Sequence, residues 1–161
     1  MSHIYFVLDR SGSMASCVDD TIGGFNTFID NQKKDNMEAY MSLYLFDNEY
    51  TSLYENKLIS EVLNLDTKTY VPRGSTSLLD AIGCTIKTAE KTDNNIIVIL
   101  TDGFENTSKT YTKCHVKDLI EMKEHMGWNF VFLAANQDAI STAQSLGINS
   151  NGAMTFDQDC L

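Results

Sequence analysis

The chain has 161 residues, 43% of them hydrophobic and 21% charged, which suits a single domain, residues 1–161, built around one sizeable core. Its 12 Lys and Arg against 22 Asp and Glu leave a formal charge of −10, and an acidic surface repels phosphate backbones and anionic lipid, so neither nucleic acid nor a membrane is an expected partner. Cys17, Cys84, Cys114 and Cys160 show no CxxC pair or zinc-like spacing and read as reduced thiols, no cleavable leader opens the chain, and no apolar run approaches the roughly 20 residues that cross a bilayer, so a cytoplasmic protein is expected.

Ile4 to Leu8 carries no charge and no breaker, and reads as a central strand buried on both faces. Asp9, Ser11 and Ser13 then place a carboxylate and two hydroxyls at every second position, with Gly12 allowing a tight turn between them. Three hard oxygen donors at the end of a buried strand point to a hard cation, although Asp, Ser and Gly are also ordinary turn residues. Met14 to Asp20 reads as a loop. Ile22, Phe25, Phe28 and Ile29 recur at helical spacing, with Asp19, Asp20 or Thr21 as caps and Gly23 and Gly24 allowing close packing on a sheet.

Ala39 to Phe46 alternates as a second strand, and the turn Asp47-Asn48 returns it through Glu49 to Tyr54 as an antiparallel hairpin. Leu58 to Leu65 predicts a short amphipathic helix or turn. Tyr70 to Ser77 holds the only proline, a glycine and three successive hydroxyl residues. A helix follows from Ser77 or Leu78 to about Lys91. Asn95 to Leu100 is a second wholly apolar strand, ending in Thr101-Asp102-Gly103. Thr112 to Met126 predicts a helix with Val116, Leu119, Ile120 and Met126 inward. Trp128 to Ala134 is a buried strand, Asp138 to Leu146 a helix, and Ala153 to Phe156 a last strand.

Strands alternating with helices, broken by one hairpin, predict an α/β fold with helices on both faces of a mostly parallel sheet. In such sheets ligands bind beyond the carboxyl ends of the strands, where strand order reverses. If the two most apolar strands are neighbours, Asp9 and Asp102 face one crevice, which Thr76 can reach from the loop before the next helix.

Asp9-Arg10-Ser11-Gly12-Ser13, Gly74-Ser75-Thr76-Ser77 and Leu100-Thr101-Asp102-Gly103 together resemble the metal-ion-dependent adhesion site of von Willebrand factor A, or integrin I-like, domains. The match extends over about residues 3 to 156 and is closest to small, stand-alone bacterial and phage members. The resemblance implies a three-layer, Rossmann-like, doubly wound sheet of six strands in the order 3-2-1-4-5-6, with strand 3 antiparallel. It implies Mg²⁺ or Mn²⁺ at Asp9, Ser11, Ser13, Thr76 and Asp102: the serines as direct ligands, the threonine joining in the ligand-bound state, the aspartates acting largely through water. It also implies a protein partner whose Asp or Glu carboxylate completes the metal. The helix that usually follows the last strand in that family has no counterpart in Phe156 to Leu161, being absent, truncated or replaced by a partner, so the resemblance does not extend to integrin-style switching.

An enzyme is the main alternative class. A haloacid-dehalogenase-type phosphatase needs a second carboxylate two residues after Asp9, where Ser11 stands. No Gly-x-Ser-x-Gly elbow, phosphate-binding Gly-rich loop or dinucleotide fingerprint is present. His3 opens the first strand, and His115 and His125 fall on a predicted surface helix, so no catalytic function is expected. A structural assembly subunit whose metal only ties loops together is the third reading. The sequence does not name the partner or the oligomeric state.

Overall fold

A computed structural model describes residues 2–35, 38–148 and, as backbone, 153–155. Five strands make the body of the sheet: β1 (Ser2–Asp9), β2 (Ala39–Phe46), β3 (Tyr50–Leu58), β4 (Asn95–Thr101) and β5 (Asn129–Ala134), in the order β3-β2-β1-β4-β5. β2, β1, β4 and β5 run parallel, while β3 returns antiparallel on β2 as the hairpin predicts. A three-residue strand, β6 (Ala153–Thr155), pairs parallel to β5 at the far edge. The expected continuation to Phe156, and Phe156 to Leu161 as a whole, lie outside the described residues.

The sheet divides the core in two because side chains on a strand alternate between faces. Tyr5 and Val7 of β1, Tyr44 and Phe46 of β2, and Ile97 and Ile99 of β4 point to one face. There they meet α2 (Leu78–Ala89), α3 (Lys113–His125) and α4 (Gln137–Ser145) through Ile82, Ile86, Val116, Ile120 and Ala143. Ile4, Phe6 and Leu8, with Met41, Leu43, Leu45, Val98 and Leu100, point to the other face. It is covered by Phe25 and Ile29 of α1 (Val18–Lys34) and by Ile59, Val62, Leu65 and Tyr70 from the connection after β3. β1, buried from Ile4 to Asp9, is therefore the centre of three layers, and its sequence needs no alternation.

Several local expectations change. The stretch from Met14 is not a loop: a 3-10 helix, Gly12–Cys17, runs straight into α1 at Val18, so Asp19 and Asp20 occupy the first helical turn rather than the cap. There their charges favour the positive helix terminus. Gly23 is exposed, and a Cβ added there would meet nothing within 4 Å, so it does not mediate close packing on the sheet. β3 extends to Leu58, with its register on β2 shifted around Leu43. After it only Ile59–Glu61 is helical, a single 3-10 turn, while Val62 and Leu65 are buried from an irregular segment. α3 ends at His125, and Met126 is 63% exposed rather than inward. Cys17, Cys84 and Cys114 are free thiols.

Phe6 joins these layers, with its ring edge-on to Phe25 (centroids 4.9 Å apart) and Phe28 (5.4 Å), and it has no solvent exposure. Phe6→Ala leaves a cavity at the middle of the sheet and is expected to lower the free energy of unfolding by about 3–5 kcal/mol in urea titration. A loss under about 1 kcal/mol contradicts this packing.

Candidate metal centre

The parallel pairing of β1 and β4, with Leu8 opposite Leu100, brings the ends of the two most apolar strands side by side. β1 ends in Asp9, which has no solvent exposure, and β4 ends in Thr101 and runs on into Asp102. One Asp9 oxygen accepts the backbone N–H of Ser11 at 2.7 Å, and the other accepts the Thr101 hydroxyl at 2.7 Å. The Asp9 carbonyl accepts the hydroxyl of buried Tyr70 at 2.6 Å. The hydroxyls of Ser11 and Ser13 lie 3.1 Å apart, and Ser13 donates to the Asp102 carboxylate in a short contact. Asp9, Ser11, Ser13 and Asp102 thus form one connected cluster.

Thr76 is 3% exposed, and its loop is tied to the loop after β1. The Gly12 N–H donates to the Gly74 carbonyl at 2.9 Å, stitching the β1 loop to the threonine loop. Asn106 holds the threonine itself: Thr76 N–H donates to Asn106 Oδ1 at 2.9 Å, and the Asn106 N–H returns to the Thr76 carbonyl at 2.9 Å. The same loop caps α2. Its first free N–H groups, on Leu79 and Asp80, donate to Glu105 and to the Ser108 hydroxyl, each at 3.0 Å. The Asp80 carboxylate in turn accepts the N–H groups of Lys109, Thr110 and Tyr111. The segment after Asp102 is therefore fixed to the helix that follows Thr76, and these orphan donors are satisfied across the site rather than by a local serine cap.

Burial, with the Asp102 charge adding to it, pushes the Asp9 carboxyl up to about 6, against the opposing pull of hydrogen bonds from Thr101 and Ser11. Among the described residues neither Asp9 nor Asp102 has an ion-pair partner. Arg10, although next to Asp9 in sequence, turns to Asp47 at 3.5 Å, and Arg73 bonds Asp47 at 2.8 Å and Glu49 at 3.0 Å. No described group of three or more His, Cys, Asp or Glu could hold a metal. The donors here are two carboxylates and three hydroxyls, a set suited to a hard divalent cation and unsuited to zinc. His115 and His125 are exposed on α3, and His3 sits at the opposite end of β1, bonded to the Asp93 carbonyl at 3.0 Å.

Sequence reasoning missed Thr101, Tyr70 and Asn106. A hydroxyl closing the apolar run Ile96 to Leu100 was a visible signal for Thr101. Tyr70 and Asn106 act across 61 and 30 residues and carry no local mark.

A family model for the von Willebrand factor type A domain matches residues 3–159. The chain belongs to that family. No curated protein matches its sequence. Among solved structures, this von Willebrand factor A domain is similar to manganese-loaded TRAP protein of Plasmodium vivax (TM-score 0.69, 17% identity, covering 99% of this chain and 69% of that one). It is also similar to the vWF domain of the type V pilus tip protein Mfa5 of Porphyromonas gingivalis (TM-score 0.69, 10% identity, 96% and 88%). A third is the ArnB paralog VWA2 of Sulfolobus acidocaldarius (TM-score 0.63, 17% identity, 96% and 40%), so the chain spans well under half of that protein. At these identities the likeness is one of fold.

The raised Asp9 carboxyl has a measurable consequence. Between its ordinary value of 3.8 and about 6 the folded chain binds a proton that the unfolded chain has released, so this group's contribution to stability falls as pH rises through that window. Asp9→Asn removes the charge and keeps an acceptor oxygen. In a chelator, urea titration is expected to find the variant close to the wild type at pH 4 and more stable, by an amount of order 1–3 kcal/mol, at pH 7. A variant less stable at pH 7 contradicts the assignment of an uncompensated buried charge.

Proposed function

We propose that this domain captures a protein partner through a divalent cation, Mg²⁺ or Mn²⁺, held by Asp9, Ser11, Ser13, Thr76 and Asp102, and that it catalyses nothing. One observation carries the reading: two carboxylates, one fully buried and one 4% exposed, converge at the end of the central strands with hydroxyls between them and no cationic side chain paired to either among the described residues. Buried charges are costly unless paired or metal-bound. When bound, the ion supplies a Lewis-acidic position that takes up an outside carboxylate.

The chain's own residues set that chemistry. Ser11, Ser13 and Thr76 are neutral donors, so they leave the cation's charge incompletely balanced. Asp9 and Asp102 supply the attraction that brings the ion in. Thr101 holds the Asp9 carboxylate and Tyr70 its backbone carbonyl, fixing the end of β1. Among the described residues no His or Lys is hydrogen-bonded to the Ser11, Ser13 or Thr76 hydroxyls as a base would be, which supports binding rather than catalysis. Von Willebrand factor A domains generally mediate protein interactions, some of them metal-dependent, and the manganese-loaded state of the Plasmodium vivax neighbour supports a divalent ion here. The partner is a protein presenting an exposed Asp or Glu, because an anionic oxygen competes well with water for such an ion.

Calorimetric titration with Mn²⁺ and Mg²⁺ is expected to show one site in the wild type and none in Asp9→Ala. Thr76→Ala, which leaves the buried strands intact, is expected to bind metal and to lose most capture of the partner in a pull-down that chelator abolishes and Mg²⁺ restores. Equal metal binding by Asp9→Ala, or equal capture in chelator, overturns the proposal.

A further inference from the structure

Asp47 is 1% exposed at the end of β2, outside the five positions assigned to the ion. Its Oδ2 accepts Arg73 Nε at 2.8 Å and faces Arg10 Nε at 3.5 Å. Arg10 lies between Asp9 and Ser11, and Arg73 lies in the loop that leads to Thr76. The same aspartate therefore holds one guanidinium from each donor-bearing loop. Its remaining groups are used too: Oδ1 accepts the Glu49 N–H at 2.6 Å, and its carbonyl accepts the Ser77 N–H at 2.8 Å, just past Thr76.

The backbone continues this clasp. Arg73 N–H donates to the Arg10 carbonyl at 2.7 Å, and the Gly12 N–H donates to the Gly74 carbonyl. Gly74 has φ +71°, and a Cβ there would fall 2.4 Å from Asn48 Oδ1, so the β2–β3 turn presses directly against the threonine loop. Arg10 Nε is buried with no hydrogen bond of its own, which leaves Asp47 as the anion nearest that guanidinium. Without that carboxylate, Arg10 would lose the anion beside it and Arg73 would keep only exposed Glu49, leaving two close guanidiniums undercompensated on the loops they belong to.

We propose that Asp47 is the positioning residue of the metal centre, setting the separation between Ser11 and Ser13 on one loop and Thr76 on the other through Arg10 and Arg73. This rests on the proposed metal site. Asp47 is outside the five positions assigned to the ion and acts by clamping both donor loops to the end of β2.

The test compares wild type, Asp47→Asn, Arg73→Gln and the double variant. Arg73 is half-exposed, so its variant keeps the fold even if Asp47→Asn is impaired. Mn²⁺ affinity is read by titration, and hydrogen exchange is followed separately in chelator. Each single variant is expected to bind Mn²⁺ about tenfold more weakly, and the double variant no more weakly than the worse single one, because both act through one contact. In chelator, the backbone N–H groups of Gly12 and of the residue at position 73 are expected to exchange faster in the variants while those of β1 and β4 stay protected. Unchanged Mn²⁺ affinity in both single variants, or fully additive losses, overturns the inference while leaving the metal site standing. A wild type that binds no Mn²⁺ overturns the metal reading itself, and unchanged exchange at Gly12 and at position 73 then overturns the clasp as well.

Discussion

The structure depends on a carboxylate placed where a carboxylate is least comfortable. Asp9 ends the central strand with no solvent exposure, with Asp102 close enough to oppose its ionisation and, among the described residues, no basic side chain paired to either. The sheet makes this unavoidable. β1 and β4 are apolar on both faces and lie side by side at the centre, so whatever follows them emerges in one crevice. A hydrophobic core that stabilises the fold thereby also delivers two like charges to one point. Thr101, Ser11 and Ser13 soften that arrangement with hydrogen bonds but supply no positive charge.

Around this point the loops are fastened to one another more than to solvent. Asn106 holds Thr76, Glu105 and Ser108 cap α2, and Asp80 gathers three successive N–H groups of the same loop. On the other side, Asp47 ties the β1 loop and the threonine loop to the end of β2. The basic side chains carried by the two donor loops, Arg10 and Arg73, are spent on Asp47 and Glu49. That diversion leaves Asp9 and Asp102 without a counter-ion among the described residues. An uncompensated carboxylate pair framed by neutral hydroxyls is a poor structural feature and a good cation site.

Much of this was legible in the sequence because the decisive signals are contiguous. An apolar run that stops in Asp9-Arg10-Ser11-Gly12-Ser13, and another that stops in Thr101-Asp102-Gly103, mark both strand ends and their donors without knowledge of the fold. Thr76 was picked out by its place in the loop before the helix that feeds the second apolar strand and by the family pattern, since a threonine between two serines has no periodicity of its own. The start of α1 was misjudged because Gly12–Cys17 forms a 3-10 turn, whose short period hides in a stretch of small residues. Met126 was placed inward by extending a helical period one residue past the end of α3. Tyr70 and Asp47 were invisible as site residues because their roles arise from contacts across 61 and 26 residues, which only the folded sheet creates.

The most direct test of the account is a crystal structure of the protein grown with Mn²⁺, with diffraction recorded at the manganese absorption edge. The account predicts a single strong anomalous peak at the hydroxyls of Ser11 and Ser13, beside Asp9, Asp102 and Thr76. A manganese ion elsewhere on the domain, or ordered crystals in saturating Mn²⁺ with no anomalous peak in that crevice, would contradict it.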